Sequence, residues 1–316
     1  MRMSMKITLS WSKIRIHQGK IKTLPDREIR SRAKNKKTTF VLSLVSVMTV
    51  FSFSIGFQIY ILFISFIVGA LFASGLMCLA WRMTHHQKWS SGRSHCDSCG
   101  HTLSAKDLIP IFSWLSTKGK CRYCGCKIGV STILGESFLA IVTMLLPVRF
   151  GLTVEALKYL IFIYLLFCIA LCDLYSFEIP DRFWIIGSIL FVVFLIWDNN
   201  RMQSLLQGLL GGLVIATGVF IISLVMSKVL GKEAMGFGDI KLMFFTGLYL
   251  GLLGNLLMLL ISCFLGLGLS KVLQSHAVED DEVPEGAFPF GPAIALSAII
   301  CVFIGEPLIN LYLSLF

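Results

Sequence analysis

A chain of 316 residues that is 56% hydrophobic and only 15% charged is not an ordinary soluble domain, which is about half apolar and a quarter charged. Its mean hydropathy is +0.80, and several apolar runs exceed the ~18 residues of a spanning helix without alternating, so the chain reads as an all-α, polytopic helical membrane protein rather than a β-barrel. The net charge of +10 points to basic cytoplasmic loops and the lipid bilayer as partner, and not to nucleic acid.

Residues 1–38 form a basic arm in which only Asp26 and Glu28 oppose the cations. Two readings stand: a disordered cytoplasmic arm touching anionic lipid, or sequence ahead of the true start. It does not pattern as a cleavable signal peptide, being too long and too charged before the first apolar run. Residues 39–81 are almost wholly apolar, about twice one bilayer crossing at 1.5 Å per residue. They are expected to form a transmembrane hairpin turning near Ser54-Ile55-Gly56. An even number of crossings returns the chain to the side of the arm.

Residues 82–130 form the one sizeable polar loop, rich in Lys and Arg and therefore expected in the cytoplasm. It holds Cys96-Asp97-Ser98-Cys99 and Cys121-Arg122-Tyr123-Cys124. Two CxxC pairs about twenty residues apart have the spacing of a four-thiolate zinc site, with two tight turns aiming their sulfurs at one ion. Two disulfides, or unpaired thiols, are the alternatives, and a reducing compartment disfavours the disulfides. Cys126 is a fifth thiol that can compete, and His95 and His101 are nearby spares. The loop is too poor in apolar residues for a core of its own, so a metal staple suits it.

From residue 131 the apolar runs alternate sides. Segment 131–148, containing Glu136, crosses outward and 156–172 returns, ending at Cys172-Asp173. Segment 183–198 crosses out and 204–227 returns. After the polar break Gly236-Phe237-Gly238-Asp239-Ile240-Lys241, segment 240–253 goes out and 255–272 comes back. An acidic loop, Glu279 to Glu285, precedes Phe288-Pro289-Phe290-Gly291-Pro292 and the last helix, 293–315. About nine crossings are expected from runs of ~20 residues.

This walk puts Asp173 and Asp239 at helix ends on the same, cytoplasmic side. An intramembrane carboxylate is costly without a function, and Gly236 and Gly238 let the backbone bend and another segment come close. Paired carboxyls sharing a proton can activate water and protonate a leaving amine, so 131–316 reads as a transmembrane aspartyl protease domain. Asp239 begins a helix and Asp173 ends one. The helix dipole then makes Asp239 the expected ionised base and Asp173 the protonated acid. Asp181 and Asp198 read as turn residues. Glu136 either snorkels to the inner interface or sits in the cleft. Lys241 is expected to face away from Asp239, toward headgroups or a neighbouring loop.

Taken together, these motifs resemble the type IV prepilin peptidases, bacterial inner-membrane enzymes of the GxGD aspartyl class. The resemblance runs from about residue 69 to the C-terminus. It rests on the four cysteines, Asp107-Leu108-Ile109-Pro110, Gly119-Lys120-Cys121-Arg122, Asp173 with Ile179-Pro180-Asp181, Gly236 to Leu242, and Phe288 to Pro292. It implies cleavage of the leader from type IV prepilin or pseudopilin precursors at the cytoplasmic membrane face. N-methylation by S-adenosylmethionine follows in many members. By motif, Asp173 and Asp239 are the implied catalytic residues, Cys96, Cys99, Cys121 and Cys124 the implied zinc ligands, and Glu136 matches a glutamate linked to family activity. The family's usual Gly-Ser-Phe-Leu-Asn run is here Ala73-Ser74-Gly75-Leu76-Met77, and a Tyr-Pro pair is absent near Ile133-Leu134. These departures flank the zinc loop and bear on methylation rather than proteolysis. No glycine-rich nucleotide fingerprint is present. The acidic loop at 279–285 is expected either to attract a basic leader or to be merely solvated. Other GxGD intramembrane proteases, and a zinc-stabilised scaffold or transporter, are the competing readings.

Overall fold

The computed structural model describes residues 14–17, 20–23, 54–88, 92–231, 235–274 and 288–315. In the basic arm, expected to lack structure, strands β1 (Ile14–His17) and β2 (Lys20–Thr23) pair antiparallel with Ile14 opposite Thr23. The rest is helical: α1 (Ile55–Thr84), α2 (Phe112–Ser116), α3 (Val130–Phe150), α4 (Val154–Ser176), α5 (Asp181–Phe194), α6 (Arg201–Leu230), α7 (Phe237–Gln274) and α8 (Gly291–Ser314). Among the described residues six helices are long and apolar enough to cross a membrane, and the chain is a multi-pass membrane protein.

Local chemistry sets the helix ends. Thr153 caps α4, its hydroxyl accepting from the Ala156 N–H at 3.2 Å. The other end stops at Phe177, whose left-handed backbone (φ 54°) lets its N–H reach the Asp173 carbonyl. Gly231 ends α6 in the same way, at φ 67°.

The long α7 is two helices. Gly251 has φ 69° and ψ −177°, and the chain reverses there. The Asn255 amide donates to the Met243 carbonyl at 3.0 Å, and the Thr246 hydroxyl donates to Asn255 Oδ1 at 2.9 Å. Twelve residues along a straight helix would put these groups about 18 Å apart. The expected outward and returning pair at 240–253 and 255–272 is therefore present, hinged at one glycine. With the short α5 and both arms of α7, the described residues make eight helical passages, in line with the expected eight to nine. The predicted turn at Ser54 coincides with the start of α1, and the first helix of that hairpin falls outside the described residues.

Lipid offers apolar helices no hydrophobic reason to associate, so close packing and buried polar bonds hold them. Gly208 and Gly212 of α6 lie directly against the outgoing arm of α7. A methyl at these positions would stand 2.6 Å from the Leu248 carbonyl oxygen and 2.8 Å from that of Phe244. Asn255, fully buried, also donates to the Gly211 carbonyl at 2.9 Å. At the centre, Phe162 stacks on Tyr249 with ring centroids 4.2 Å apart, and the Tyr249 hydroxyl donates to the Gly187 carbonyl at 2.8 Å.

The helix ends sort into two groups, as the alternating walk requires. One cavity of about 450 Å³ gathers Arg149, Glu155, Gln207, Gly251 and Glu306 at one end of the bundle. At the other, a cavity of about 550 Å³ gathers Met83 and Thr84 at the end of α1 with Ser176 at the end of α4 and Glu178, Pro180 and Asp181 beyond it.

Candidate active site

Asp173 lies in the last turn of α4 and is only 5% exposed. Its Oδ2 accepts a 2.8 Å hydrogen bond from the backbone N–H of Gly291, the first residue of α8. Gly291 has to be glycine for this approach, because a methyl there would stand 2.7 Å from the same oxygen. The sequence considered only the helix that carries Asp173, whose C-terminal dipole opposes negative charge. The structure brings the N-terminus of a second helix onto the carboxylate, and that dipole acts the other way. Since Asp239 also sits in the first turn of its helix, the expected split into acid and base loses its basis. Both aspartates meet a helix N-terminus.

Asp239 is half-buried at the start of α7, and its carboxyl lies within electrostatic reach of Asp173. The glycines of the motif have separate duties. The Gly236 carbonyl accepts the Asp239 N–H at 3.2 Å. Gly238 packs on Ile179, whose Cβ would lie 3.2 Å from a methyl at that position. The α7 start is thereby seated on the turn that follows Asp173.

Two contacts escaped the sequence. Asp181, read as a turn residue, is the first residue of α5. It accepts from Trp184 Nε1 at 2.8 Å and pairs with Lys241 Nζ at 2.7 Å. Lys241 turns neither to headgroups nor to a loop but to the first residue of α5. Its Nζ also lies 5.1 Å from the Phe237 ring centroid.

Glu136 does not snorkel. It is 5% exposed, and its Oε2 accepts the Ile111 N–H at 2.7 Å, with the Ser74 hydroxyl as a second partner. Ile111 is a β-branched residue at φ 61°, ψ −54°, a backbone state that persists only where surroundings impose it. Glu136 therefore latches the polar loop onto α1 and α3.

The cysteines occupy two copies of one turn. The Cys96 N–H donates to the His101 carbonyl at 3.0 Å, and the Gly100 N–H returns to Cys96 at 2.8 Å. The Cys121 N–H donates to Cys126 at 2.8 Å, and the Gly125 N–H to Cys121 at 2.9 Å. Each turn closes on a glycine with positive φ, 68° at Gly100 and 73° at Gly125. The sulfurs of Cys96, Cys99, Cys121 and Cys124 all lie within 4.8 Å of one another and could hold a metal ion. The N–H groups of Cys99 and Ser98 bring the Cys96 thiol down to about 6, and those of Cys124 and Tyr123 lower Cys121 likewise. Cys99 and Cys124 shift upward instead, so thiolates are favoured at Cys96 and Cys121, and thiolates suit a soft cation. Cys126 lies 3.5 Å from Cys96, sulfur to sulfur, so the fifth thiol adjoins the cluster. Asp107 ties the loop together. It accepts from the Ser104 hydroxyl at 2.7 Å, Arg122 Nε at 2.9 Å and the Tyr123 hydroxyl at 2.9 Å. The Ser104 hydroxyl first, then Arg122 and Tyr123, hold its carboxyl well below the usual range. The acidic loop at 279–285 lies outside the described residues.

Residues 67–150 match the bacterial peptidase A24 N-terminal domain, and residues 160–270 match the type IV leader peptidase family. A prepilin leader peptidase/N-methyltransferase of Bacillus subtilis (strain 168) is 30% identical over 254 residues, covering 80% of this chain and 98% of the relative. One from Pseudomonas putida is 30% identical, covering 71% and 77%. A type 4 prepilin-like proteins leader peptide-processing enzyme of Escherichia coli O78:H11 is 28% identical, covering 67% and 76%. No solved structure matches the chain. With both halves matched in order, and a relative covered almost end to end, the chain belongs to the type IV leader peptidase family.

Proposed function

We propose that the protein cleaves the leader peptide from type IV prepilin-like precursors, using Asp173 and Asp239 as a joint water-activating pair. The observation that carries this reading is that the start of α7, with Asp239, is packed through Gly238 on Ile179 in the turn that follows Asp173. The two carboxyls lie on α4 and α7, far apart in sequence, within electrostatic reach at one end of the bundle. One carboxylate takes a proton from water as the water oxygen attacks the scissile carbonyl carbon. The other carboxyl gives its proton to the carbonyl oxygen. The tetrahedral diol then collapses, the carbon–nitrogen bond breaks, and the amine leaves carrying the returned proton. Because the pair shares a proton, it titrates as a unit.

The basic loop between α1 and α3 favours the cytoplasmic face of the bacterial inner membrane for the aspartate end. A precursor anchored in the bilayer would then present its scissile bond at that depth. Zinc suits the four thiolates and, when bound by Cys96, Cys99, Cys121 and Cys124, supplies a structural crosslink in place of an apolar core. N-methylation of the new terminus, an activity named in the relatives, would be a second step. S-adenosylmethionine would be its donor.

The test is co-expression with a prepilin-like precursor. The wild type removes the leader, and Asp173→Asn and Asp239→Asn each abolish its loss on a gel. Cleavage that persists in either variant overturns the pair. No cleavage by the wild type either overturns the protease reading and leaves a scaffold or transporter. Mass spectrometry of the mature N-terminus reads methylation separately.

A further inference from the structure

We propose that Lys241 and Asp181 form a positioning pair that sets the approach of the two aspartate-bearing segments, an inference that rests on the two-aspartate reading above. Lys241 follows Asp239 by two residues in the first turns of α7. Asp181 follows Asp173 across the turn that joins α4 to α5. Their ion pair, at 2.7 Å, therefore links the two arms of the site directly, beside the carboxyls and not through them.

Both partners are held from a second direction. Asp181 takes the Trp184 indole N–H at 2.8 Å, which fixes its rotamer on α5. Lys241 lies over the Phe237 ring, with the attraction of a cation for an aromatic face. A lysine at a membrane surface ordinarily reaches for water or headgroups. Here the side chain turns instead to a carboxylate 60 residues away. Exposure of 28% for Lys241 and 54% for Asp181 rules out a large gain in stability, because exposed ion pairs contribute little. What the pair supplies is direction. Gly238 on Ile179 is a contact between surfaces that can slide, whereas a charge pair anchored at both ends fixes the register. Misplacing reacting groups by about 1 Å can cost on the order of a hundredfold in rate.

The experiment measures leader cleavage of a prepilin-like precursor by the full-length protein in membranes. Lys241→Met and Asp181→Asn are each expected to lower kcat about 10- to 100-fold, with KM changed less than about threefold. The exchanged double variant, Asp181→Lys with Lys241→Asp, is expected to recover at least about tenfold over the poorer reversed single, Asp181→Lys or Lys241→Asp. Lys241→Arg is expected to retain most of the rate. Each variant is compared at matched metal content and thermal midpoint. A variant that does not accumulate is replaced by Lys241→Gln or Asp181→Ala, judged by the same split. Unchanged kcat in the singles, or no recovery in the exchanged pair, overturns the proposal while the two-aspartate reading stands. Cleavage surviving in Asp173→Asn overturns that reading instead.

Discussion

The backbone amide of Gly291 donates to Asp173 Oδ2 at 2.8 Å across 118 residues of sequence. A donor at the head of α8 thus orients a carboxylate at the foot of α4. Gly291→Ala would push a methyl against that oxygen. It is expected to lower kcat for leader cleavage about a hundredfold, with thermal stability nearly unchanged. Steady-state cleavage and a melting curve on the same preparation check both halves.

Glu136 separates two roles by its substitutions. Glu136→Gln keeps an oxygen acceptor for the Ile111 N–H and is expected to leave the loop docked. Glu136→Ala leaves that part-buried N–H without its partner, at about 1 kcal/mol, and frees the strained Ile111. Limited proteolysis is expected to cut between residues 105 and 118 several-fold faster in the alanine variant only.

Metal affinity in the four-cysteine loop is expected to depend on pH with a definite sign. The Cys96 thiol is lowered to about 6 by the loop's own N–H groups. Above that value the free loop already holds a thiolate there. Below it a proton must be displaced, so the fall in zinc affinity steepens by about a further tenfold per pH unit. Competition titration of the purified protein between pH 5 and 8 measures the break. Cys96→Ser removes it.

Asn255 holds the reversal in α7 through Gly211, Met243 and Thr246. Replacing it with Leu strands these groups. Interhelical hydrogen bonds in membranes are worth roughly 0.6 kcal/mol each, so a loss of about 2 kcal/mol is expected, read as a lower midpoint in detergent. Cleavage by the surviving folded fraction should be near normal.

Much of this architecture could be read from residue order. Solid apolar runs gave the passages, including the two arms of α7, because Gly251 interrupts a run whose length already demanded a turn. The CxxC pairs and the two aspartates were visible because side-chain chemistry at fixed local spacing is a sequence property. The Lys241–Asp181 pair was not, since nothing local joins positions 60 apart. Nor was the Gly291 amide, because a backbone donor has no residue signature. That amide also undid the acid and base assignment, which weighed each aspartate only against its own helix. Glu136 stayed ambiguous for the same reason: its partner is a main-chain N–H in the loop.

The helix that carries Asp239 runs only from Phe237 to the break at Gly251, a rise of about 20 Å against a hydrocarbon core of ~30 Å. Neighbouring α5 is short too, 14 residues continued by a single 3-10 turn to Trp197. No residue from 241 to 250 is exposed, so lipid meets the mismatch at α5, where thinning would carry the water table down toward the aspartates. Acyl chain length should therefore tune turnover, with vesicles of shorter-chain lipid supporting faster cleavage than thicker ones.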